Sequence, residues 1–385
     1  MTQTVLLGDV VAINPTTILK KPSVCTFVSM DKLSTFKRKI EGRETREYSG
    51  GSKFINGDTL LARITPCLEN GKTAYVDILE KDEVGVGSTE FIVLRAKDGV
   101  TDSDYIYYLS ISSEFRKYAI QAMIGTSGRQ RIQNDVLAKY EFELPTIEKQ
   151  REIGQQLRDF DEKIELNRQM NETLEQMGQA LFRHYFVDNV EAEGWNISTI
   201  GKECDVVLGG TPSRAKPEYW ENGTVGWINS GKVNEFRIIE PSELITDVAL
   251  KNSAAKIMPS GTTVLAITGA TLGQVSRLEK PFAANQSVIG ILGNKKVSNE
   301  FMYYWINENI KKIIGQQTGG AQQHINRNNI VEYELLMPPS EIVQEFQGKI
   351  LPIMNGITIK NSEIQTLTTL RDTLLPQLIS GKIKL

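Results

Sequence analysis

The chain reads TSGRQRIQNDVLAKYEFELPTIEKQ at residues 126–150 and GGAQQHINRNNIVEYELLMPPSEIV at residues 319–343, and the second stretch repeats the first at an offset of 193 residues. The identical pairs are Gln130 and Gln323, Ile132 and Ile325, Tyr140 and Tyr333, Glu141 and Glu334, Pro145 and Pro338, and Glu148 and Glu341. The same offset continues from Ile164 and Ile357 to Leu181 and Leu374, and it returns where Gly8 matches Gly201. Such a repeat predicts one structural unit that is present twice.

Length and composition agree with two units of similar size. The 385 residues leave room for two globular domains, and 40% hydrophobic with 24% charged residues is typical of folded domains. A single small module and a mainly disordered chain are excluded. Lys and Arg total 44 against 47 for Asp and Glu, so the net charge of -3 supplies no overall attraction for nucleic acid. Any nucleic-acid binding surface must therefore be local.

The cysteines, Cys25, Cys67 and Cys204, are far apart in the sequence, and the histidines are limited to His184 and His324. A zinc site or a disulfide framework is therefore not expected. The stretch MTQTVLLGDVVAIN lacks the basic and apolar parts of a signal peptide, and no apolar run approaches the roughly 18 residues of a membrane span. We expect a cytoplasmic protein with no membrane partner.

Residues 1–145 and 191–338 carry the features of two globular domains. Short apolar runs bounded by turn residues, namely DTLLARI, TEFIVLRA, TTVLAIT and QSVIGIL, predict strands. Helical periodicity follows from Asp104 to Met123 and from Asn299 to Ile314. No regular helical crossovers separate the strands, which favours an α+β body over a doubly wound sheet.

Residues 146–190 and 339–385 predict two long helical regions. Each follows a helix entry, Pro145-Thr146 or Pro339-Ser340, and each shows a seam with alternating spacings of three and four residues. The first seam consists of Leu157, Phe160, Ile164, Asn167, Asn171, Leu174, Gly178, Leu181 and Tyr185. The second consists of Ile350, Ile353, Ile357, Lys360, Ile364, Leu367, Arg371, Leu374 and Leu378. This spacing predicts a coiled coil.

A helix from Ile147 to Val187 would be about 60 Å long, too long to pack on its own domain alone. The second helical region repeats the seam, and a globular domain connects the two regions, so we expect the helices to pair antiparallel. Asn167 and Asn171 are expected to fix the register of this pair rather than to perform chemistry. Pro352 predicts a kink in the second helix.

The sequence contains no recognisable catalytic constellation. NGKT at residues 70–73 lacks the earlier glycine of a phosphate-binding loop, because Pro66 occupies that position. Neither GxSxG nor HExxH occurs, and the Asn/Asp-Pro-Pro-aromatic turn expected of an amino-methyltransferase is missing. We therefore expect a chain without catalytic or metal-binding residues.

Polar loops rich in hydrogen-bond donors occupy corresponding places in the two halves. Residues 309–331 contain Lys311, Lys312 and Arg327 and no acid. Arg and Lys contact phosphates or guanine edges, and Asn or Gln pairs with adenine. The predicted DNA-binding residues of the two loops are Thr126, Ser127, Arg129, Gln130, Arg131, Asn134, Gln322, Gln323, His324, Asn326 and Arg327. A solvated loop without a ligand is the alternative, and the presence of two copies favours a binding site.

Further candidates for DNA contacts lie in or beside turns of the strand-rich parts, where exposed polar residues are the ordinary expectation. They are Arg63, Lys72, Lys232, Thr268, Thr271 and Gln274. The basic run from Lys37 to Arg46 is another candidate for phosphate contacts, although glutamates are interspersed in it.

Several motifs carry a resemblance to a known family. ELPTIEKQREIGQQLRDFDEKIELN is similar to a central PPLxEQxxIxxxLxxID stretch, and LLPQLISGKIKL is similar to a C-terminal LLxxLxxGKI. With GGTPSRAKPEYW, GWINSGKVN and NQSVIGIL, the chain resembles over essentially its whole length the specificity (S) subunit of type I restriction-modification systems, the HsdS family. Two departures are a second helix entry, PPSEIVQEF, without the usual Glu-Gln pair, and a first half without the GxTP and Trp-Ile-Asn motifs.

The resemblance implies two similar target recognition domains, separated by two long helices that form an antiparallel coiled coil with internal pseudo-twofold symmetry. Each domain would read one half of a bipartite target in double-stranded DNA, while the helices set the spacing and dock two methyltransferase (M) subunits. The M subunits would bind S-adenosylmethionine and methylate adenine N6, and restriction (R) subunits would use ATP and Mg²⁺. This chain would then be non-catalytic and hold no cofactor.

Two other hypotheses stay open from the sequence. A two-domain coiled-coil adaptor would bind proteins rather than DNA through the same polar loops. A methyltransferase or nuclease within this chain would act without partner subunits.

Overall fold

The computed structural model describes residues 3–19, 24–294, 296–315 and 325–383. The chain divides into two compact units. The first unit consists of Met1–Leu166 and Ile364–Leu385, and the second consists of Asn167–Glu363. Each unit therefore contains one globular body and part of each long helical region. The predicted division into four consecutive segments follows the order along the chain instead, and it stays a prediction.

The first unit is a mixed body of sheets and helices. Its strands are β1 (Gln3–Leu6), β2 (Val11–Ile13), β3 (Val24–Val28), β4 (Glu44–Glu47), β5 (Ser52–Phe54), β6 (Thr59–Ala62), β7 (Thr73–Tyr75), β8 (Gly85–Gly87), β9 (Phe91–Ala96) and β10 (Glu141–Leu144). Its helices are α1 (Leu7–Val10), α2 (Ser103–Ile111), α3 (Ser113–Gln121), α4 (Asn134–Leu137) and the first part of α5 (Ile147–Phe182), with a 3₁₀ turn at Met30–Lys32. The sheet orders are β2-β9-β6-β7, β4-β3-β8-β5 and β1-β10.

Strands β6 and β9 lie in the middle of the first sheet because their residues are apolar and can be covered on both faces. All four residues of β6 are buried, as are the first four of β9. Helix α2 packs on this sheet and buries Tyr105, Tyr107 and Tyr108 completely. The predicted helical stretch divides between α2 and α3 at Ser112, whose hydroxyl donates to the Leu109 carbonyl at 2.7 Å.

The second unit repeats this architecture. Its strands are β11 (Asn196–Thr199), β12 (Asp205–Leu208), β13 (Val225–Ile228), β14 (Glu243–Ile245), β15 (Ile257–Met258), β16 (Thr263–Ala266), β17 (Val275–Arg277), β18 (Phe282–Ala284), β19 (Val288–Leu292) and β20 (Glu334–Met337). Its helices are α6 (Ile200–Glu203), α7 (Asp247–Asn252), α8 (Asn299–Gly315), α9 (Arg327–Val331) and part of α10 (Ser340–Ile379). Single turns of 3₁₀ helix lie at Val190–Gly194, Pro217–Tyr219, Ser230–Asn234 and Gly269–Thr271, and a π-helical turn at Arg183–Val187 ends the first long helix.

The sheets of the second unit have the orders β12-β19-β16-β17, β14-β13-β18-β15 and β11-β20, which match those of the first unit strand for strand. The units also share a parallel pairing among strands that otherwise pair antiparallel: β3 pairs with β8 in one unit, and β13 pairs with β18 in the other. The internal repeat and the α+β class predicted from the sequence are therefore confirmed. The four apolar runs predicted as strands correspond to β6, β9, β16 and β19.

In each unit a segment of α5 pairs with a segment of α10. In the first unit Leu157 shares a hydrophobic cluster with Leu375 and Leu378, and further along α5 Asp161 forms an ion pair with Arg371. Residue numbers that rise in α5 meet numbers that fall in α10. The helical segments are therefore antiparallel, as predicted.

The second unit shows the same antiparallel pairing. Asn171 donates from its amide to the Asn361 side-chain oxygen at 2.9 Å, and the Phe182 ring packs against Phe346 with ring centroids 6.0 Å apart. Every predicted seam position in the two helices is buried or half-buried, which confirms the seam. The Asn171 pair agrees with a role in register. Helix α10 continues through Pro352, and the kink expected at this residue stays a prediction.

Candidate nucleic-acid interface

Backbone hydrogen bonds hold three segments of the first unit side by side. The Arg63 amide donates to the Glu90 carbonyl, the Ile132 amide to the Arg63 carbonyl and the Thr65 amide to the Gln130 carbonyl, each at 3.0 Å. We call residues 88–90, 63–65 and 130–132 the first row. It joins the end of β6, the turn before β9 and the polar loop, which lie 23 or more residues apart in sequence.

The second unit contains an equivalent arrangement. The Ile267 amide donates to the Ser287 carbonyl at 2.9 Å, and the Ile325 amide donates to the Ile267 carbonyl at 3.1 Å. Residues 285–287, 267–268 and 325–327 form this second row. Ile325 is the repeat partner of Ile132, and Ile267 follows β16 as Arg63 follows β6. Residues 130–132 and 325–327, at the ends of the two polar loops, therefore lie at the same end of the central strands in both units.

Two more of the predicted residues lie beside these rows. Ala62 donates its amide to the Lys72 carbonyl at 3.1 Å, and Ala266 donates to the Gln274 carbonyl at 3.0 Å, so Lys72 and Gln274 occupy equivalent positions. The Lys72 ammonium donates to the Met30 carbonyl at 2.9 Å, whereas Gln274 is exposed. Lys72 and Gln274 thus share a backbone position, but their side chains differ in charge and in exposure.

Exposed residues form the tip of the polar loop in the first unit. Ile124 and Arg131 pair across its base, and the tip, Thr126 to Arg129, is exposed throughout. The Arg129 amide closes the turn by donating to the Thr126 carbonyl at 3.0 Å. Within the described residues the Arg129 guanidinium has no hydrogen-bond partner, which leaves its donors available to a ligand.

Other predicted residues of the first row stabilise the loop itself. The Arg131 guanidinium donates to both carboxylate oxygens of Glu90, at distances from 2.7 to 3.0 Å. Arg63 donates to the Ile132 carbonyl at 2.8 Å and to the Gln133 side chain at 3.2 Å. The bond from Arg131 lowers the pKa of Glu90, so this carboxylate stays charged and neutralises part of the local positive charge. Their guanidinium groups thus have internal partners, and their contact with DNA stays a prediction.

Asn134 opens α4 in the first unit, and its side-chain oxygen is buried without a partner within the described part of the chain. In the second unit Asn326 caps α9, where its side chain accepts from the Asn329 amide at 3.0 Å. The neighbouring Arg327 donates through Nε to the Val206 carbonyl at 3.1 Å but is otherwise exposed. Gln322, Gln323 and His324 lie outside the described residues.

The remaining candidates of the second unit belong to two turns that contact each other, Ser230–Asn234 and Gly269–Thr271. Lys232 forms an ion pair with Glu235 at 2.6 Å. The Thr271 hydroxyl donates to the Thr268 carbonyl at 3.3 Å, which closes the turn after β16. Both threonines are half-buried.

The basic run from Lys37 to Arg46 is engaged within the first unit. Arg38 forms an ion pair with Asp104, Lys37 pairs with Glu41, and the Arg46 guanidinium lies 2.9 Å from the centroid of the Phe27 ring. These contacts favour a structural role for this run over the predicted phosphate contacts.

Sequence reasoning missed two exposed polar residues at the second row, Thr211 and Gln286. The Thr211 hydroxyl donates a hydrogen bond to the Gln286 side-chain oxygen. The motif GGT at residues 209–211 was the available signal, because paired glycines before a polar residue indicate a close approach of two backbones.

Within the described residues, no cluster of three or more His, Cys, Asp and Glu side chains is arranged to hold a metal ion. Over the same residues, no helix combines the length and the apolar character that crossing a membrane requires.

Both halves of the chain match the model of one protein family, the type I restriction modification DNA specificity domain, at residues 2–176 and 192–370. The chain is 24% identical to the HindI type I restriction enzyme specificity subunit of Haemophilus influenzae, over 94% of this chain and 95% of that protein. It is 25% identical to the MjaIX specificity subunit of Methanocaldococcus jannaschii, over 75% of this chain and 70% of that protein. The crystal structure of the type I restriction-modification S subunit from M. genitalium shares its fold, with a TM-score of 0.59, 15% identity and coverage of 98% and 96%.

Proposed function

The chain belongs to the type I restriction modification DNA specificity family, and from that premise we propose that its two globular bodies each read one half of a bipartite DNA target. One observation carries the proposal: the two units contain equivalent rows at the same end of their central strands, but the rows carry different side chains. The first row presents Thr89, with Arg129 at the tip of the adjoining loop, and the second presents Gln286 and Arg327. Two equivalent positions with unlike donors suit two unlike half-sites.

In this proposal the chain is a non-catalytic specificity subunit. The antiparallel helices set the spacing between the half-sites and dock two M subunits, which bind S-adenosylmethionine and methylate adenine N6. Restriction subunits add the ATP- and Mg²⁺-dependent reactions. The net charge of -3 supports a division of labour in which the partner subunits supply much of the attraction for the DNA backbone.

Mapping methylated adenines in host DNA by single-molecule sequencing, with and without this gene, tests the proposal. We expect one bipartite motif, two short specified halves around an unspecified gap, whose methylation disappears with the gene. A methylation pattern that does not depend on the gene would contradict the proposal.

Direct readout has its own test in the second unit. Replacing Gln322, Gln323 and Arg327 together by alanine should relax one half of the motif and leave the other unchanged. Asn196→Ala, in the exposed strand β11, is a matched control. Unchanged selectivity of the assembled methyltransferase would favour the adaptor hypothesis, in which the same loops contact proteins.

The role of the helices in spacing is tested by inserting one heptad beside Asn171 in α5 and one beside Asn361 in α10. Insertion into both helices preserves the seam and lengthens the pair by about 10 Å. The gap between the half-sites should become longer, while both halves of the motif stay the same. An unchanged gap would mean that the helices do not set the spacing.

A further inference from the structure

Thr211 and Gln286 form an exposed polar pair in the second unit, and they lie in the stretches GGTPSRAKPEYW and NQSVIGIL. The Thr211 hydroxyl donates to the Gln286 side-chain oxygen, and both side chains are exposed. An exposed glutamine ordinarily samples several rotamers and both orientations of its amide. A hydrogen bond to its oxygen restricts this freedom and holds the amide group in one orientation.

Two glycines bring Thr211 to this position. The Gly209 amide donates to the Val288 carbonyl at 3.0 Å, and the Gly210 amide donates to the Ala284 carbonyl at 2.8 Å. A Cβ atom on Gly209 would lie 2.1 Å from the Asn285 carbonyl oxygen, so only glycine fits this close approach. The backbone on both sides of Gln286 is thus tied to the segment that carries Thr211.

Gln286 lies at the second row. The next residue, Ser287, accepts the hydrogen bond from the Ile267 amide at 2.9 Å, and Ile267 in turn accepts from the Ile325 amide. Gln286 therefore belongs to the row that also contains Thr268 and Arg327. Within the described residues the Gln286 amide nitrogen has no partner, so its two hydrogens remain available.

The free groups of this amide match one base. A glutamine that offers an N–H donor and a free oxygen lone pair can pair bidentately with N7 and the N6 amino group of adenine in the major groove. The first unit has Thr89 at the equivalent place, and a single hydroxyl cannot form this pair. We propose that Gln286, with its amide held by Thr211, recognises an adenine in the half-site bound by the second unit. This inference rests on the proposed function.

Selection from a randomised DNA duplex library tests the proposal. The probe is the complex of the full chain with its methyltransferase subunits, carrying the natural sequence, Gln286→Ala, Thr211→Val or the control Asn196→Ala. Gln286→Ala should reduce the preference for adenine at one position of one half-site about 10-fold to 100-fold. Thr211→Val keeps the side-chain shape and should weaken the preference at the same position by a smaller factor. The control should leave the motif unchanged.

The results separate the two proposals. If the natural chain selects no bipartite motif, the proposed function fails. If it selects one, the inference is overturned when Gln286→Ala leaves every position intact, changes a base other than adenine, or changes both halves. Should a variant assemble poorly, the motif recovered from the assembled fraction decides, because the preference at one position is independent of the yield.

Discussion

Corresponding tyrosines, Tyr108 and Tyr304, pack against the helix pair in the two units, but they contact different groups there. In the first unit the Tyr108 hydroxyl donates to Asp161 at 2.7 Å, and Asp161 pairs with Arg371. In the second unit the Tyr304 hydroxyl lies 3.5 Å from the sulfur of Met354 and directly beside Gly178. At the repeat offset of 193 residues, Met354 corresponds to Asp161 and Gly178 to Arg371. The two units share the tyrosine contact, but the buried ion pair of the first unit corresponds to a methionine sulfur and a glycine in the second.

The charges of the second unit lie elsewhere. Arg237, whose side chain is 1% exposed, donates to Tyr303 at 2.6 Å and to Glu175 at 2.9 Å. Burial raises the pKa of Tyr303 to about 12, so this hydroxyl stays protonated at any physiological pH. Burial and the neighbouring Asp161 likewise raise the pKa of Tyr108. In each unit, neutral tyrosines and a buried arginine thus connect the globular body to the helix pair. The contacts of one unit can be altered without those of the other.

The largest effect is expected from breaking the ion pair of the first unit. The side chains of Arg371 and Asp161 are 7% and 8% exposed. Arg371→Ala leaves the buried Asp161 carboxylate with the Tyr108 hydroxyl but without its opposite charge, and should lower the free energy of unfolding by about 3 to 5 kcal/mol. Adding Asp161→Met copies the chemistry of the second unit and should recover most of that loss. Urea unfolding measures both variants.

The control for this cycle is Lys280→Ala, which removes an exposed ion pair with Glu240 and should cost about 1 kcal/mol or less. If Arg371→Ala is no more costly than the control, or if Asp161→Met recovers nothing, the ion pair does not explain the difference between the units.

The next effect concerns the glycine of the second unit. A Cβ atom on Gly178 would lie 2.0 Å from the Tyr304 hydroxyl oxygen, and Tyr304 is fully buried, so Gly178→Ala should destabilise by about 1 to 3 kcal/mol. Gly348→Ala is the matched control, because that exposed helical glycine has no atom within 4 Å of the added Cβ. The control should stabilise by about 0.5 to 1 kcal/mol. If Gly178→Ala stabilises the protein as the control does, the Tyr304 side chain can move aside for the added methyl group.

A smaller effect is expected at the first row on acidification. Hydrogen bonding from Arg131 lowers the pKa of Glu90 in the folded state below its ordinary value of 4.5. A lowered carboxylate pKa contributes stability that is present above the ordinary value and is lost as the pH falls through the folded-state value. The natural chain should therefore lose more stability than Glu90→Gln between pH 5 and pH 3. Parallel urea midpoints for the two proteins would contradict this.

The smallest effect concerns one cross-strand pair. Thr4 faces Glu143 in the first unit, and the equivalent residues of the second unit, Ile197 and Leu336, are exposed and apolar. Replacing the latter by Thr and Glu should change the free energy of unfolding by no more than about 1 kcal/mol, because neither side chain is buried. A larger loss in urea unfolding would reveal a packing role for this apolar pair.

The fold was largely predictable because the repeat and the seam are patterns of apolar spacing. Leu157, Ile164 and Ile357 are buried where the spacing of three and four residues placed them. The break at Ser112 was not predictable, because the apolar periodicity continues across it. Its cause is a local hydrogen bond from the Ser112 hydroxyl to the backbone.

The candidate site was only partly predictable. Its polar loops could be found from composition and duplication, and the structure places residues 130–132 and 325–327 at the same end of the central strands in each unit. Residue type did not reveal that Arg63 and Arg131 have internal partners, because Gln133 and Glu90 come near them only through the folded backbone. The pair of Thr211 and Gln286 spans 75 residues, and no local pattern connects its members.

In the proposed function, each unit reads its own half of one DNA target. The most direct measurement is the methylated motif of host DNA for the natural chain, for Arg129→Ala in the first unit and for Arg327→Ala in the second. Both arginines are exposed beside equivalent rows. We predict that each substitution relaxes or weakens one half of the motif, and a different half in each case. Substitutions that change the same half, or that change neither, would contradict the account.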